Sequence, residues 1–413
     1  MIHVAVLGYG TVGSGVLEVF RMNQEKIDRC AGDQVRIKYI LDLRDFPGDP
    51  AQELIVHDFE QIINDVSIDI VVEVMGGLDP AYTFVKRSLE AGKNVVTSNK
   101  ALVAAHGSEL LQTAKEHHVN YLFEASVGGG IPIIRPLVSS LTADEIEEIT
   151  GILNGTTNYM MTKMFYEGAD YDEVLREAQA NGYAERNPEA DVEGRDACRK
   201  IAILSSIVSG RQVDFEDIYT EGITKITAQD MRYAKEMNMV IKLLATMKQE
   251  DGTIGAIVAP FLLHSEHPLA SVHGVFNAIF VRGNALGDSM FYGSGAGKLP
   301  TGSAVVADII EAAQNLKKNV PMGWTGEKQA IESMDQAQFR YFVRVAGSYR
   351  NKEQDVKNAF GQVEVIELYG MDEFAFLTAQ MTEGEFKKGA VSYDARERER
   401  SEYGIKQMIR AVL

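Results

Sequence analysis

Residues 4–13, VAVLGYGTVG, join a short apolar run to the start of an amphipathic helical pattern. Within this stretch Gly8 permits a tight turn, Gly10 lets the backbone approach a pyrophosphate, and Gly13 lets a helix pack closely on a strand. The free N–H groups and the dipole of the helix N-terminus would hold the phosphates. Because the glycines lie between a predicted strand and a predicted helix, we interpret them as a dinucleotide-binding turn and not as a plain glycine-rich loop.

Strand and helix patterns alternate through the first third of the chain. Further short apolar runs lie at 35–41, 68–75, 94–97 and 119–123. Helical patterns separate several of them, for example at 81–91. Short apolar strands that alternate with helices predict a parallel sheet covered on both faces. We therefore predict an α/β chain that begins with a Rossmann-type dinucleotide-binding domain at residues 1–135.

The remainder of the chain has a different pattern. Long helical patterns and strands are mixed over 136–320, which predicts an α+β domain. A candidate boundary lies near 319–323, and the patterns beyond it predict a small α+β module at 330–413. The strands of this module are expected at 339–345, 362–368 and 373–380, and its helices at 352–360 and 396–412.

The composition excludes several classes of protein. The 413 residues include 41 lysines and arginines against 59 aspartates and glutamates, a formal net charge of −18. So acidic a chain is a poor candidate for binding nucleic acid or an anionic membrane surface, and no apolar run of about 20 residues predicts a membrane span. With only Cys30 and Cys198 and no signal-peptide pattern, we expect a cytoplasmic protein with reduced thiols.

The end of the second predicted strand bears on the choice of nicotinamide cofactor. Asp42 could accept a hydrogen bond from the ribose 2′-hydroxyl of NAD. Arg44, two residues further on, could instead hold the 2′-phosphate of NADP. Both could also be solvated loop charges. The two signals conflict, so the sequence leaves the cofactor preference open.

Polar loops follow other predicted strands. Lys100 lies in a turn after the strand at 94–97, where loops face the ligand crevice of a parallel sheet. Three glycines at 128–130 expose backbone groups that could approach a ligand, bind an ion or form a hinge. The run LNGTTNY at 153–159 supplies small donors and acceptors that suit a polar substrate or cap a helix.

The segment 182–200 is the richest in candidate catalytic groups. Asp196 and Lys200 are four residues apart, so they share one face of a predicted helix. Pairs of this kind are usually exposed and weak, but this helix continues as the apolar run 201–204, which indicates partial burial. A lysine that is partly desolvated and held by a carboxylate can exchange protons.

Taken together, these motifs resemble those of the homoserine dehydrogenase family. The similarity runs over roughly residues 1–315. It rests on GYGTVG at 8–13, SNKALV at 98–103, EASVGGGIP at 124–132, LNGTTNY at 153–159 and GYAExxPxxDVEGxDxxxK at 182–200. The resemblance implies the reversible, NAD(P)H-dependent reduction of L-aspartate 4-semialdehyde to L-homoserine, a step of threonine, methionine and isoleucine biosynthesis.

The resemblance also implies roles for individual residues. Lys200 aligns with the donor of a proton to the carbonyl oxygen, and Lys100 with a second lysine at the cofactor–substrate junction. Carboxylates that bind the substrate align with Glu185 and Asp196, with Asp191 nearby. Cofactor contacts align with Gly8, Gly10, Thr11, Val12, Gly13 and Gly297. A loop that holds Na+ or K+, mostly through carbonyl oxygens, aligns with Glu124, Val127, Gly129 and Ile131.

The family resemblance extends to assembly and regulation. It implies a homodimer, or a higher homo-oligomer, paired through the middle domain at 136–320, which also carries catalysis. Some relatives carry a C-terminal ACT regulatory domain with a Pro-Gly ligand loop after its first strand. Here residues 346–350 read AGSYR and lack Pro-Gly. The module at 330–413 is therefore predicted to be ACT-like but degenerate, so feedback by an amino acid such as threonine is not expected from it.

Two other functions are weighed against this one. A different two-domain Rossmann oxidoreductase, of the sugar or inositol dehydrogenase type, would commonly carry Glu-Lys-Pro where Ser98-Asn99-Lys100-Ala101 stands here. A non-catalytic sensor of nucleotides or amino acids would be favoured by the loss of Lys200 or Glu185, and both residues are present. We therefore expect a homoserine dehydrogenase.

Overall fold

The computed structural model describes residues 1–399 and 404–412. Its first third alternates strands with helices, as predicted. The strands are β1 (Ile2–Leu7), β2 (Val35–Leu41), β3 (Ile55–Val56), β4 (Ile68–Glu73), β5 (Asn94–Thr97) and β6 (Tyr121–Leu122). The helices are α1 (Thr11–Ala31), α2 (Phe59–Ile63), α3 (Ala81–Glu90) and α4 (Lys100–Glu116).

These six strands form one parallel sheet in the order β3-β2-β1-β4-β5-β6. This is the doubly wound order of dinucleotide-binding sheets, so the predicted Rossmann-type fold is confirmed. The central strands are apolar because helices cover both faces, and Val4, Val6 and Val72 are completely buried. Ligands of such sheets bind beyond the carboxyl ends of the strands.

The middle of the chain contributes six strands and six helices to the described structure. The strands are β7 (Ile146–Ile152), β8 (Tyr219–Thr220), β9 (Met239–Glu250), β10 (Thr253–His264), β11 (Phe276–Gly283) and β12 (Gly287–Ser294). The helices are α5 (Gly155–Glu167), α6 (Tyr171–Ala180), α7 (Glu189–Val192), α8 (Arg195–Ser209), α9 (Ala228–Glu236) and α10 (Lys298–Gln314).

The chain folds into two compact units, each of which is built from three segments that are not consecutive in the sequence. The first contains residues 1–149, 199–217 and 277–330, and the second contains residues 150–198, 218–276 and 331–413. Within the first unit α10 packs directly on α1. The contact requires glycine at position 15, because a Cβ atom there would lie only 2.1 Å from the carbonyl oxygen of Lys298. The domain boundaries 1–135, 136–320 and 330–413 stay predictions.

The second unit is built on a mixed sheet. Its strands β9 and β10 form an antiparallel hairpin that is paired along its whole length, from Met239 with His264 to Glu250 with Thr253. The last elements are β13 (Gln338–Ala346), α11 (Tyr349–Phe360), β14 (Val363–Ile366), β15 (Glu373–Thr378), β16 (Met381–Thr382), α12 (Glu383–Glu399) and β17 (Ile405–Val412). Strand β17 lies between β10 and β13, parallel to β10 and antiparallel to β13.

The C-terminal elements have a ferredoxin-like order. Apart from the short β16, they follow as β13-α11-β14-β15-α12-β17, with the strands arranged β17-β13-β15-β14. Their own core is aromatic and includes the buried Tyr341, Phe360, Phe374, Phe376 and Tyr393. The small α+β module is thus present, and its ACT-like character stays a prediction.

One predicted element of this module is wrong. The helix expected at 396–412 is in fact the end of α12 followed by the strand β17, and residues 400–403 lie outside the described part of the chain. The alternation typical of a strand is hidden in the sequence because polar Gln407 and Arg410 occupy buried positions beside the apolar Ile409 and Ala411.

In the part of the chain that the structure describes, no helix is long and apolar enough to cross a membrane.

Candidate active site

The glycine turn at 8–13 has the geometry that its sequence predicts. Gly8 has a φ of +104°, in the region that favours glycine, and its N–H donates to the carbonyl oxygen of Leu41 at 2.8 Å. A Cβ atom at Gly13 would lie 2.1 Å from the carbonyl oxygen of Gly8. Helix α1 then begins at Thr11, with Gly10 in extended conformation at its N-cap. The first turn of α1, which includes Val12, therefore lies at the carboxyl edge of β1.

Alanine substitutions at two of these glycines should separate cofactor binding from folding. A Cβ atom at Gly10 meets no atom within 4 Å in the described structure, so Gly10→Ala should fold normally. Because the pyrophosphate would approach that position, the KM for NAD(P) should rise about tenfold or more, a loss of ~1.4 kcal/mol in binding. Gly13→Ala should instead lower the free energy of unfolding by about 1–3 kcal/mol, because the added methyl group overpacks the turn. Thermal unfolding and cofactor kinetics distinguish the two, and equal melting temperatures for both variants would contradict this assignment.

Asp42 and Arg44, the two rival cofactor signals, are joined in an ion pair beyond the end of β2. The guanidinium of Arg44 donates to the Asp42 carboxylate through Nε at 2.9 Å and through Nη2 at 3.0 Å. The carboxylate also accepts two main-chain N–H groups, that of Tyr9 inside the glycine turn at 2.9 Å and that of Arg44 at 3.0 Å. Mainly because of Arg44, the pKa of Asp42 is lowered to about 2. The carboxylate is nearly buried whereas the guanidinium is 64% exposed, so the arginine is the group that can reach out to a ligand.

A buried glutamate that the sequence analysis missed ties together the loops after β4 and β5. Oε1 of Glu73 accepts the N–H groups of Met75 at 2.8 Å and Gly76 at 3.1 Å, and its Oε2 accepts the hydroxyl of Thr97 at 2.6 Å. Asn99 extends this network by donating to the carbonyl oxygen of Gly77 at 2.6 Å. The only sequence signal for Glu73 is an acidic residue at the end of an otherwise apolar run.

Lys100 lies at the edge of the sheet that this network organises. Helix α4 begins at Lys100 and is capped by the side chain of Asn99, which accepts the N–H of Leu102 at 3.1 Å. Lys100 therefore occupies the first helical position after β5, at the carboxyl edge of the parallel sheet, as the sequence predicts for a residue near the cofactor.

The glycine-rich loop after β6 is held by the buried carboxylate of Glu124. Its Oε1 accepts the N–H groups of Ile133 at 2.6 Å and Ile134 at 2.8 Å, and its Oε2 accepts that of Arg135 at 2.7 Å. The main-chain N–H of Glu124 donates in turn to Asp308 at 2.8 Å, and burial raises the pKa of Asp308 well above its usual value. The Glu124 carboxylate thus holds the turn that follows the glycines.

Close backbone contacts fix the same loop against the start of α10. Gly129 has a φ of +59°, and a Cβ atom there would lie 2.1 Å from the carbonyl oxygen of Gly295. Gly297, the predicted late cofactor contact, precedes the first residue of α10 with a φ of +128°. Val127 and Ile131, the other residues of the predicted cation loop, are both buried.

In the second unit, two of the predicted substrate carboxylates meet at one amide. Nδ2 of Asn154 donates to Asp191 at 2.8 Å and to Asp196 at 2.9 Å. Asp191 lies in α7, and Asp196 lies in the first turn of α8, where it is 3% exposed. The third predicted carboxylate, Glu185, lies in an exposed turn at 182–188. Sequence reasoning predicted the carboxylates but missed the amide that joins two of them.

Lys200 lies on helix α8, one turn beyond Asp196. Its side chain is 7% exposed, and the apolar residues that follow it are completely buried, including Ile201, Ile203 and Leu204. The partial burial inferred from the sequence is therefore confirmed. Asp196 and Lys200 thus lie one turn apart along α8, and both are largely buried.

A doubly wound dinucleotide-binding sheet with a glycine turn, together with a buried lysine and clustered carboxylates, defines a nicotinamide-dependent oxidoreductase. Two family models match the chain. The one described as "Homoserine dehydrogenase, NAD binding domain" covers residues 8–124, and the one described as "Homoserine dehydrogenase" covers residues 132–310. The chain belongs to the homoserine dehydrogenase family.

Individual relatives support the same conclusion. A homoserine dehydrogenase of Bacillus subtilis is 42% identical over 323 residues, which cover 77% of this chain and 74% of the relative. A crystal structure of a homoserine dehydrogenase from Thiobacillus denitrificans has a TM-score of 0.90 at 35% identity, covering 100% of this chain and 98% of that one. A hyperthermophilic archaeal homoserine dehydrogenase, solved in complex with NADPH, has a TM-score of 0.63 at 30% identity, covering 75% of this chain and 97% of its own.

The chain is therefore an NAD(P)-dependent oxidoreductase that interconverts L-homoserine and L-aspartate 4-semialdehyde. Neither a sugar or inositol dehydrogenase nor a non-catalytic sensor is favoured by these similarities. The reaction belongs to the biosynthesis of threonine, methionine and isoleucine.

Proposed function

We propose that Lys200 is the proton donor of this reaction and that Lys100 supports it near the reacting carbon. When bound, the nicotinamide supplies the hydride. As the aldehyde carbon is reduced, charge develops on its oxygen, and the ammonium group of Lys200 stabilises that charge and transfers a proton to it. The observation that carries this proposal is the burial of Lys200 one helical turn from the buried Asp196. Lys100 adds a second positive charge from the edge of the sheet.

The substrate's α-ammonium group is proposed to bind Glu185, Asp191 and Asp196. Three carboxylates supply the negative charge that an ammonium ion requires. Asp191 and Asp196 are already gathered by Asn154, whereas Glu185 lies on an exposed turn from which it could reach an arriving ligand. Asp196, one helical turn before Lys200 on α8, would also act with the lysine in the proton transfer.

The residues of the glycine turn fit a bound dinucleotide. Space is open around Gly10, and α1 begins there with no side chain at its cap, so its first N–H groups can face a pyrophosphate. We propose that Gly8, Gly10, Thr11, Val12, Gly13, Lys100 and Gly297 contact the cofactor. Asp42 and Arg44 would lie at the adenosine ribose.

We propose that Arg44 allows the enzyme to use NADP as well as NAD. Its guanidinium is largely exposed and already oriented by Asp42, and the archaeal relative was solved with NADPH. Purified enzyme should therefore reduce both cofactors with L-homoserine, followed by the absorbance of the reduced nicotinamide. Arg44→Ala should lower kcat/KM for NADP about tenfold or more relative to NAD, because a charge-assisted contact to phosphate is lost. Lys38→Ala, which removes a cation of β2 that contacts Asp65, is the matched control.

Outcomes of this assay separate the two readings of the ion pair. Equal loss with both cofactors in Arg44→Ala would remove the arginine from phosphate recognition. Reduced cofactor that forms with sugars but not with L-homoserine would overturn the proposed substrate.

A monovalent cation, Na+ or K+, is proposed to bind the loop of Glu124, Val127, Gly129 and Ile131. Among residues 1–399 and 404–412 no group of three or more His, Cys, Asp and Glu side chains could hold a metal ion. The carboxylate of Glu124 already accepts three N–H groups. Carbonyl oxygens of the loop would therefore be the ligands, a set that suits a hard cation.

We further propose a cytoplasmic homodimer, or a higher homo-oligomer, paired through residues 136–320. A closed two-fold dimer is the commonest soluble oligomer. Cys30 is exposed and Cys198 is buried, and reduced thiols at both positions would agree with a reducing compartment.

A further inference from the structure

We propose that Asn154 is a positioning residue, which holds Asp191 and Asp196 together as one binding element for the cationic amino group of the substrate. The inference rests on the proposed function, because it assumes that these two carboxylates bind substrate. It assigns to a buried amide, 6% exposed, a role that its place at the start of helix α5 does not require.

Every hydrogen-bonding position of the Asn154 side chain is used. A primary amide has two N–H donors and an oxygen with two acceptor sites. The donors go to Asp191 Oδ1 at 2.8 Å and Asp196 Oδ2 at 2.9 Å. The oxygen accepts the main-chain N–H of Thr157 at 2.9 Å and its hydroxyl at 3.1 Å. Four bonds fix the orientation of the amide, so its NH2 group always faces the two carboxylates.

This arrangement solves an electrostatic difficulty. Two carboxylates that bind one NH2 group lie close to each other, and like charges at short range raise each other's pKa. Hydrogen bonds donated to the charged forms act in the opposite direction. The first turn of α8 also favours the negative charge of Asp196. The amide thus holds the two carboxylates adjacent, which is the arrangement that attracts an ammonium ion.

The capping role of Asn154 can be separated from this positioning role. Its oxygen caps helix α5 by accepting from Thr157. Aspartate and serine are equally good N-cap residues, because each provides an oxygen acceptor. Neither can donate to two carboxylates in the way that the amide does. Replacement by either residue therefore preserves the cap and removes the feature on which the proposal depends.

Asn154→Asp is the main test. It keeps the size and the cap acceptor, and it places a third carboxylate where the amide stood. We expect kcat/KM for L-homoserine to fall about 10- to 100-fold, mainly through KM, with the KM for NAD(P) unchanged. Because crowded carboxylates have raised pKa values, they become protonated at higher pH, and the acidic limb of kcat/KM should move to higher pH. Asn154→Ser, which removes the donors but adds no charge, should raise KM and move that limb by less than Asn154→Asp does.

The double variant Asn154→Asp/Asp191→Asn tests whether the contact itself matters. It exchanges the amide and one carboxylate, so the cluster regains one amide and two carboxylates. We expect the acidic limb to return towards its wild-type position and KM to fall below that of Asn154→Asp. A double variant whose KM for L-homoserine is no lower than that of Asn154→Asp would overturn the proposal. So would wild-type KM and pH dependence in both Asn154→Asp and Asn154→Ser.

Folding and the underlying function are checked in the same experiments. Circular dichroism and thermal unfolding establish that each variant is folded, and if Asn154→Asp is not, then a wild-type KM in Asn154→Ser overturns the proposal. If wild-type enzyme does not oxidise L-homoserine, the proposed function fails. If it does and the variants match it, only the role of Asn154 fails.

Discussion

Lys200→Ala should reduce kcat for L-homoserine oxidation by about 10²- to 10⁴-fold, the usual contribution of a positioned proton-transfer group. Lys200 is buried on α8 in a setting that desolvates its ammonium group, so water cannot easily replace it. The affinity for NAD(P) should be unchanged, because the glycine turn and the β2 ion pair do not include this residue. Stopped-flow or steady-state absorbance measures turnover, and fluorescence titration measures cofactor binding.

The neighbouring cation provides a matched control for Lys200. Arg199 lies next to it on the same helix, and its guanidinium is 5.6 Å from the centre of the Phe215 ring. Arg199→Ala removes the same charge one residue away and should leave turnover close to wild type. A collapse of cofactor affinity in Lys200→Ala with turnover preserved would show that the lysine binds the cofactor and does not transfer the proton.

Arg410→Ala should destabilise the second unit by about 3–5 kcal/mol, because it leaves the buried carboxylate of Glu383 without its arginine. Arg410 is 1% exposed. Its guanidinium binds Glu383 through Nε at 3.0 Å and Nη2 at 2.7 Å, and it binds Glu221 through Nη1 at 2.9 Å. Tyr341 donates to the same Glu383 carboxylate at 2.9 Å. Urea unfolding followed by circular dichroism measures the loss.

An exposed ion pair of α12 provides the comparison for Arg410. Lys387 contacts Asp335 at 2.8 Å, and both side chains are at least half exposed. Lys387→Ala should therefore cost at most about 1 kcal/mol. If Arg410→Ala is no less stable than Lys387→Ala, the buried network does not contribute to folding as we infer.

The fold of the nucleotide-binding sheet could be predicted because the sequence patterns that define it are local. Each strand of the parallel sheet is a short apolar run, and the turn at 8–13 carries its glycines within six residues. The positive φ of Gly8 and the close approach of Gly13 to the carbonyl oxygen of Gly8 are both local features, so the fingerprint alone was sufficient to place α1 after β1. The predicted position of Lys100 at the edge of the sheet follows from the same regularity.

What the sequence could not predict depends on partners far along the chain. Asn154 reaches carboxylates 37 and 42 residues away, and Glu73 reaches a hydroxyl 24 residues away. Polar residues of this kind have no periodicity to identify them. Arg410 misled the assignment of β17 for a related reason, since its buried charge is tolerated only because Glu383 and Glu221 lie beside it.

The position of β17 has a consequence for protein engineering. Because this strand is hydrogen-bonded on one side to β10 and on the other to β13, its removal would expose the backbone edges of two strands at once. Exposed edges are templates for aggregation. A shortened variant made to strip away the C-terminal module would need new edge protection, such as inward-facing lysines or a proline on β10, to remain in solution.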